Sequence, residues 1–139
     1  KFILYLNYKA LYQKNKLIFT EESNMLEVKN LINEVNNVDG LYMYKKIARM
    51  NGNVLSVVQV ENRTLDFHVH EQSDEMFCVL EGNFELETEE GLIPVKSGEF
   101  VIVPKGTRHR PVVKELAKFL MVEFDGTLNK ENSGDLYED

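Results

Sequence analysis

The chain has 139 residues, a formal net charge of −7 and 43% hydrophobic residues. This length fits one domain, and the hydrophobic fraction is enough for a packed core, which excludes a largely disordered chain. The acidic balance excludes a protein that follows a nucleic-acid backbone, because such proteins need clustered lysine and arginine. No apolar run approaches the roughly 18 residues of a membrane helix, so we expect no membrane partner.

The N-terminal residues differ in charge from the rest of the chain. Residues 1–24 carry four lysines and two glutamates, and Met25 follows them directly. We therefore expect an N-terminal extension or arm over residues 1–24 and a single domain over residues 25–139, with an added edge strand from residues 2–6 as the alternative. The single cysteine, Cys78, cannot form an internal disulfide, which is typical of a cytoplasmic location.

The first predicted element is a helix over residues 25–38, because its apolar side chains recur near helical spacing. Asn24 is the candidate N-cap, and Asp39 with Gly40 ends the helix. From residue 42 onward the pattern predicts short strands between Gly and Pro turns, which indicates an all-β sandwich or barrel. The polar tail after Gly126 is expected to be loose or to cover the surface. The predicted strands are residues 42–50, 54–61, 64–70, 75–80, 84–88, 92–95, 99–103 and 117–124.

The chain has three histidines, and two of them occupy alternate positions of a predicted strand. Side chains two residues apart project from the same face of a strand, so His68 and His70 lie side by side. Glu75 opens the next strand after a polar turn that can bring it back beside the pair. His109 follows a later Pro-Lys-Gly turn. Cys78 is out of phase with Glu75, so we expect it to face away from this site.

Two imidazoles and a carboxylate on one face suit a first-row divalent metal ion. With the third imidazole there are four protein ligands, which leaves an octahedral ion two open positions for water, substrate or dioxygen. Structural zinc sites are usually closed, tetrahedral and rich in cysteine, so this set favours an open and reactive centre.

The spacing of these residues resembles the two sequence motifs of the cupin superfamily. Asn62 stands where the first motif begins with glycine, and Val113 stands where the second motif ends with asparagine. The three glycines that match motif positions, Gly82, Gly98 and Gly106, are expected to adopt positive φ in tight turns. The first motif is matched by His68, His70, Glu75 and Gly82. The second is matched by Gly98, Pro104, Gly106 and His109.

The resemblance covers residues 42–124 and implies a double-stranded β-helix, or jelly-roll barrel, with a short N-terminal helix. It implies one divalent metal ion (Fe, Mn, Ni or Zn) on the three histidines and Glu75, and a small-molecule ligand. Small cupins with this pattern commonly dimerise, so a homodimer is also expected. They are similar to bacterial proteins described as mannose-6-phosphate-isomerase-like, a label that follows fold similarity.

Residues for binding a substrate are less clearly marked. If the metal ligands face inward, alternation predicts that Asp66 and Phe77 also line the barrel. Arg108 and Arg110 flank His109 and could bind an anionic substrate at the barrel mouth, although alternation favours an outward direction for both.

Two functions stay open at this stage. The first is a metalloenzyme with dioxygenase, isomerase or lyase chemistry, in which Glu75 stays a ligand or dissociates to act as a base. The second is a non-catalytic module that binds a small metabolite. A metal-free, storage-like cupin fits the complete ligand set least well.

Overall fold

The computed structural model describes residues 26–127 and 137–138. The predicted extension over residues 1–24 lies outside this range. One helix and ten strands occur within it, and no helix there has the length or apolar character to cross a membrane. The helix is α1 (Leu31–Asn36), and the strands are β1 (Tyr44–Met50), β2 (Asn53–Val60), β3 (Arg63–Thr64), β4 (Glu75–Glu81), β5 (Asn83–Thr88), β6 (Gly91–Lys96), β7 (Phe100–Val103), β8 (His109–Val113), β9 (Ala117–Phe124) and β10 (Tyr137–Glu138).

The strands form two facing sheets, as the all-β prediction requires. The larger sheet has the order β10-β1-β2-β9-β4-β7, and the smaller has the order β3-β8-β5-β6. All pairs are antiparallel except that between β1 and β10. The two inner faces enclose one apolar core, because alternate residues of each strand point into the space between the sheets. Its large members include Val58, Phe77, Phe84, Leu86 and Phe119.

The helix is shorter than the sequence predicts. It begins at Leu31, with Asn30 as the N-cap whose side chain accepts a hydrogen bond from the Asn33 amide at 3.0 Å. Leu26 and Val28 are fully exposed, so neither of these apolar residues packs against a surface. Short helices depend on such packing for stability, which explains why the N-terminal part of the predicted helix does not form. Val35 is the buried residue of α1 and packs on the outer face of the larger sheet.

Several predicted strands are confirmed. The Asn51-Gly52 turn has positive φ at both residues, 51° and 77°, and joins β1 to β2 as a tight hairpin. Strand β9 has the predicted bounds. Strands β8 and β10 were not predicted, and β8 contains Pro111, which normally argues against a strand with neighbours on both sides.

The predicted strand over residues 64–70 is mostly irregular, and the reason is a bulge. The Leu65 amide donates to the Pro111 carbonyl at 3.0 Å, and the His68 amide donates to the His109 carbonyl at 3.0 Å. Between these two hydrogen bonds the segment advances by three residues, from 65 to 68, whereas β8 advances by two, from 111 to 109. The segment therefore carries one extra residue, which is a β-bulge. The bulge turns Asp66 outward, where it is exposed. The prediction that Asp66 lines the barrel is therefore wrong.

Candidate metal centre

The four predicted ligands come together between the two sheets. One potential ligand atom from each of them lies within 4.8 Å of the others, so the group could hold a metal ion. Their residues are between 1% and 3% exposed. Glu75 is the first residue of β4 in the larger sheet, and His109 is the first residue of β8 in the smaller sheet. His68 forms a backbone bridge with His109, and His70 lies in the loop that leads to β4.

Backbone contacts hold the His70 loop in place. The Gly106 amide donates to the His70 carbonyl at 2.7 Å, and the Lys105 amide donates to the Asp74 carboxylate at 2.9 Å. These two bonds join the loop before β4 to the loop before β8. The polar turn therefore returns Glu75 beside His70, as the sequence predicted.

The tautomers of two histidines are set by backbone carbonyls. The Nδ1 atom of His68 donates to the Asp66 carbonyl at 2.9 Å, and that of His109 donates to the Thr107 carbonyl at 2.8 Å. A carbonyl only accepts hydrogen bonds, so each Nδ1 carries a proton, and Nε2 is the nitrogen that would bind an ion once it carries no proton. Burial lowers the pKa of His68, which favours the neutral ring that a metal ion requires.

Glu75 lies at the centre of the cluster. Its Oε2 accepts hydrogen bonds from His109 Nε2 at 3.0 Å and from His70 Nε2 at 3.1 Å. Burial alone would raise the pKa of Glu75, but the hydrogen bonds from both imidazoles outweigh it and lower the pKa to about 2. The carboxylate is therefore an anion at neutral pH and can act as a ligand.

The donor set and its spacing fit a first-row divalent ion. Two donors bound to one ion at about 2.1 Å lie roughly 3 Å apart when they are at right angles. The distances from Glu75 Oε2 to the two Nε2 atoms, 3.0 and 3.1 Å, match this separation. Nε2 of His70 and Nε2 of His109 donate to Glu75 in the metal-free cluster, and they would bind the ion after releasing those protons.

An open groove of about 460 Å³ lies between the edge strands β6 and β7, and none of the four clustered residues lines it. Val103 and Thr88 contribute to its wall, and they pair in the sheets with Glu75 and His109, respectively. Arg108 also lines the groove.

Arg108 is the one predicted substrate residue in the groove wall; Asp66, Phe77 and Arg110 do not line the groove. Arg108 and Arg110 lie 4.1 and 4.3 Å from the centroid of the Phe67 ring, and Arg110 donates to Glu87 at 2.6 Å. Phe77 is buried in the core, 6.2 Å from the His109 ring.

A model of the cupin domain family matches residues 54–123, which include the four clustered residues and most strands of both sheets. The chain belongs to the cupin family. The curated protein YdbB of Bacillus subtilis (strain 168), which is uncharacterized, is 31% identical over 87 residues, covering 62% of this chain and 76% of YdbB.

Solved structures support the same assignment. A cupin-2 domain protein from Shewanella frigidimarina is 30% identical, with a TM-score of 0.66 over 70% of this chain and 94% of that one. A double-stranded β-helix protein from Klebsiella pneumoniae is 18% identical, with a TM-score of 0.60 over 78% of this chain and 100% of that one, and it shares the fold. The predicted double-stranded β-helix is therefore confirmed.

The two departures from the cupin motifs have physical explanations. Asn62 has a φ of 48°, and asparagine tolerates this left-handed conformation better than most residues, so the turn is kept without glycine. Val113 is buried in the core between the sheets. The motif glycines have the predicted positive φ: 81° at Gly82, 82° at Gly98 and 81° at Gly106.

Of two further residues, Cys78 lies away from the cupin centre and Glu123 lies close to it. Cys78 packs on the outer face of the larger sheet, away from the cluster, as predicted. Glu123 was not predicted as part of the site, yet it is only 6% exposed and its Oε2 lies 3.7 Å from His70 Nε2. The alternation along β9 could have indicated this inward direction, because Glu123 is in phase with Phe119 and Met121 on the inner face of the strand.

Proposed function

We propose that this cupin binds one divalent first-row metal ion and presents it to a small organic substrate. The observation that carries the proposal is that three imidazoles and one carboxylate lie close together in the buried cluster. Two of the imidazoles, those of His68 and His109, also donate from Nδ1 to backbone carbonyls. A bound ion would supply Lewis-acid or redox chemistry of the dioxygenase, isomerase or lyase class.

The groove between β6 and β7 is the proposed route for the substrate. It adjoins Glu75 and His109 through their paired neighbours Val103 and Thr88. Arg108 in its wall favours a substrate with a carboxylate or phosphate group, since guanidinium binds such anions well. A relation to mannose-6-phosphate-isomerase-like proteins and a cytoplasmic location stay predictions.

A non-catalytic role is the second candidate, and the burial of the ligands favours it. All four are at most 3% exposed, which restricts access to the ion. A screen of the metal-loaded protein against sugars, sugar phosphates, keto acids and phenolics would separate the two functions. Conversion of a compound supports the enzyme, whereas thermal stabilisation by a compound without turnover supports the binding module.

The metal itself is tested by replacing one ligand. We expect protein purified without a nickel column to hold about one ion per chain, and His70→Ala to lower the affinity for that ion at least about 100-fold, because the variant loses a ligand atom. Elemental analysis after dialysis measures this. Glu85→Gln is the control, since Glu85 pairs with Lys114 on the outer face of the smaller sheet and should keep full occupancy. Full occupancy in His70→Ala would contradict the assignment.

We also propose that the chain forms a homodimer through the outer face of the larger sheet. Phe100 and Ile102 of edge strand β7 are 63% and 53% exposed there. Across the sheet Phe100 pairs with Cys78, which pairs with Leu120, so an apolar row continues toward α1. The helix packs at the far end of this row and leaves the β7 end uncovered. A second copy would bury these side chains.

Light scattering tests the dimer. The wild type is expected at twice the mass of one chain, and Phe100→Glu is expected to shift the mass to that of a monomer, because it places a charge in the apolar face. Leu92→Glu, an equally drastic change at an exposed position of the smaller sheet, should remain dimeric. A monomeric wild type would refute the proposal.

A further inference from the structure

The buried carboxylate of Glu123 belongs to the inner face of β9, close to the metal centre. Ala117, Phe119 and Met121 point into the core from the same strand, and Glu123 continues this alternation at 6% exposure. Strand β9 lies beside β4, where Met76 pairs with Val122. In an antiparallel pair the next residues along the two strands also face each other, so Glu123 lies beside Glu75.

The two carboxylates approach the same imidazole nitrogen. His70 Nε2 lies 3.1 Å from Glu75 Oε2 and 3.7 Å from Glu123 Oε2. Donors on one octahedral ion with bonds of about 2.1 Å are separated by roughly 3 to 4 Å, and the distances of both oxygens from His70 Nε2 fall within this range. A second carboxylate buried beside Glu75 is costly to ionise unless positive charge compensates it, and a divalent cation would supply two positive charges.

We propose that Glu123 is a fifth ligand of the centre and selects an oxygen-preferring cation, Mn²⁺ or Fe²⁺, over Zn²⁺. This inference rests on the proposed metal binding. In the metal-loaded centre three neutral imidazoles and two ionised carboxylates would balance the charge of a divalent ion, and the second carboxylate shifts the preference toward Mn²⁺ and Fe²⁺. Five protein ligands leave one open position on an octahedral ion, so the substrate binds through a single atom.

The test compares Mn²⁺ and Zn²⁺ binding by metal-free wild type and Glu123→Gln, titrated in competition with a chromophoric chelator. The Gln side chain keeps the shape but removes the charge and weakens the ligand. We expect Mn²⁺ affinity to fall at least about tenfold and Zn²⁺ affinity to fall less, so that the Mn²⁺-to-Zn²⁺ affinity ratio decreases. Glu85→Gln, which removes a negative charge on the outer face, should change neither affinity more than twofold.

A second readout is the number of exchangeable waters on bound Mn²⁺, measured by water-proton relaxation. One water is expected in the wild type and two in Glu123→Gln. Should Glu123→Gln fail to fold, Glu123→Asp keeps the charge but withdraws the carboxylate by one methylene, and we expect the same decrease in Mn²⁺ preference.

The outcomes separate this inference from the proposed function. If the Mn²⁺ affinity of Glu123→Gln stays within twofold of wild type, the proposed role of Glu123 is wrong. The same holds if the variant loses affinity for Mn²⁺ and Zn²⁺ equally. In both cases the proposed four-residue metal centre is unaffected. A wild-type protein that binds neither ion overturns both proposals.

Discussion

Gly82→Ala is expected to lower the free energy of unfolding by at least about 3 kcal/mol. A Cβ atom at Gly82 would lie 2.4 Å from the Leu116 carbonyl oxygen and 3.0 Å from the Ala117 Cα, and both are backbone atoms that cannot move alone. Gly82 also has a φ of 81°, which is unfavourable for alanine. The clash falls where β4 turns into β5 beside the start of β9, so relief would require shifting a sheet strand.

Gly98→Ala is the matched control for this prediction. Gly98 has a φ of 82°, but an added Cβ would meet nothing within 4 Å. Only the conformational cost remains, so we expect a loss of about 1 to 2 kcal/mol. Urea unfolding of the two variants measures the difference. Equal losses at the two glycines would show that the close approach at Gly82 does not matter.

Glu75→Gln is expected to abolish a pH-dependent contribution to stability in the metal-free protein. The pKa of Glu75 is about 2 in the folded chain, against an ordinary value of 4.5. Because the folded-state pKa is lowered, the contribution is fully present above pH 4.5 and is lost as the pH falls from 4.5 toward 2. The shift corresponds to roughly 3 to 4 kcal/mol, given 1.4 kcal/mol per pKa unit.

The measurement is urea unfolding in the presence of a chelator at several pH values between 7 and 3. We expect the stability difference between wild type and Glu75→Gln to shrink as the pH falls below 4.5, since only the wild type loses the anion. Glu85→Gln controls for the loss of a negative charge outside the cluster and should follow the wild type. A constant difference over the whole pH range would show that the imidazoles do not hold the Glu75 anion.

Much of the fold follows from local sequence. Strand β9 and the Asn51-Gly52 hairpin were predicted, because alternating apolar residues and a left-handed turn are short-range signals. The spacing of His68, His70 and Glu75 likewise predicts a shared face, since it depends only on strand alternation and one turn. The cupin motif then identified His109 as the fourth member of the cluster, which no local rule connects to the others.

The errors and omissions occur where distant contacts decide the structure. The helix begins at Leu31 because only its C-terminal part reaches the sheet, where Val35 packs. Asp66 turns outward because pairing with β8 leaves an extra residue, and a register shift between strands cannot be read from one of them.

The sequence by itself determined the cupin fold and the four clustered residues, because strand alternation and motif spacing are properties of the chain alone. The tertiary structure decided which groups surround them. Glu123 is an ordinary acidic residue in the sequence, and only the pairing of β9 with β4 places it beside Glu75 and 3.7 Å from His70. The carbonyls that set the tautomers of His68 and His109 likewise depend on loop conformation.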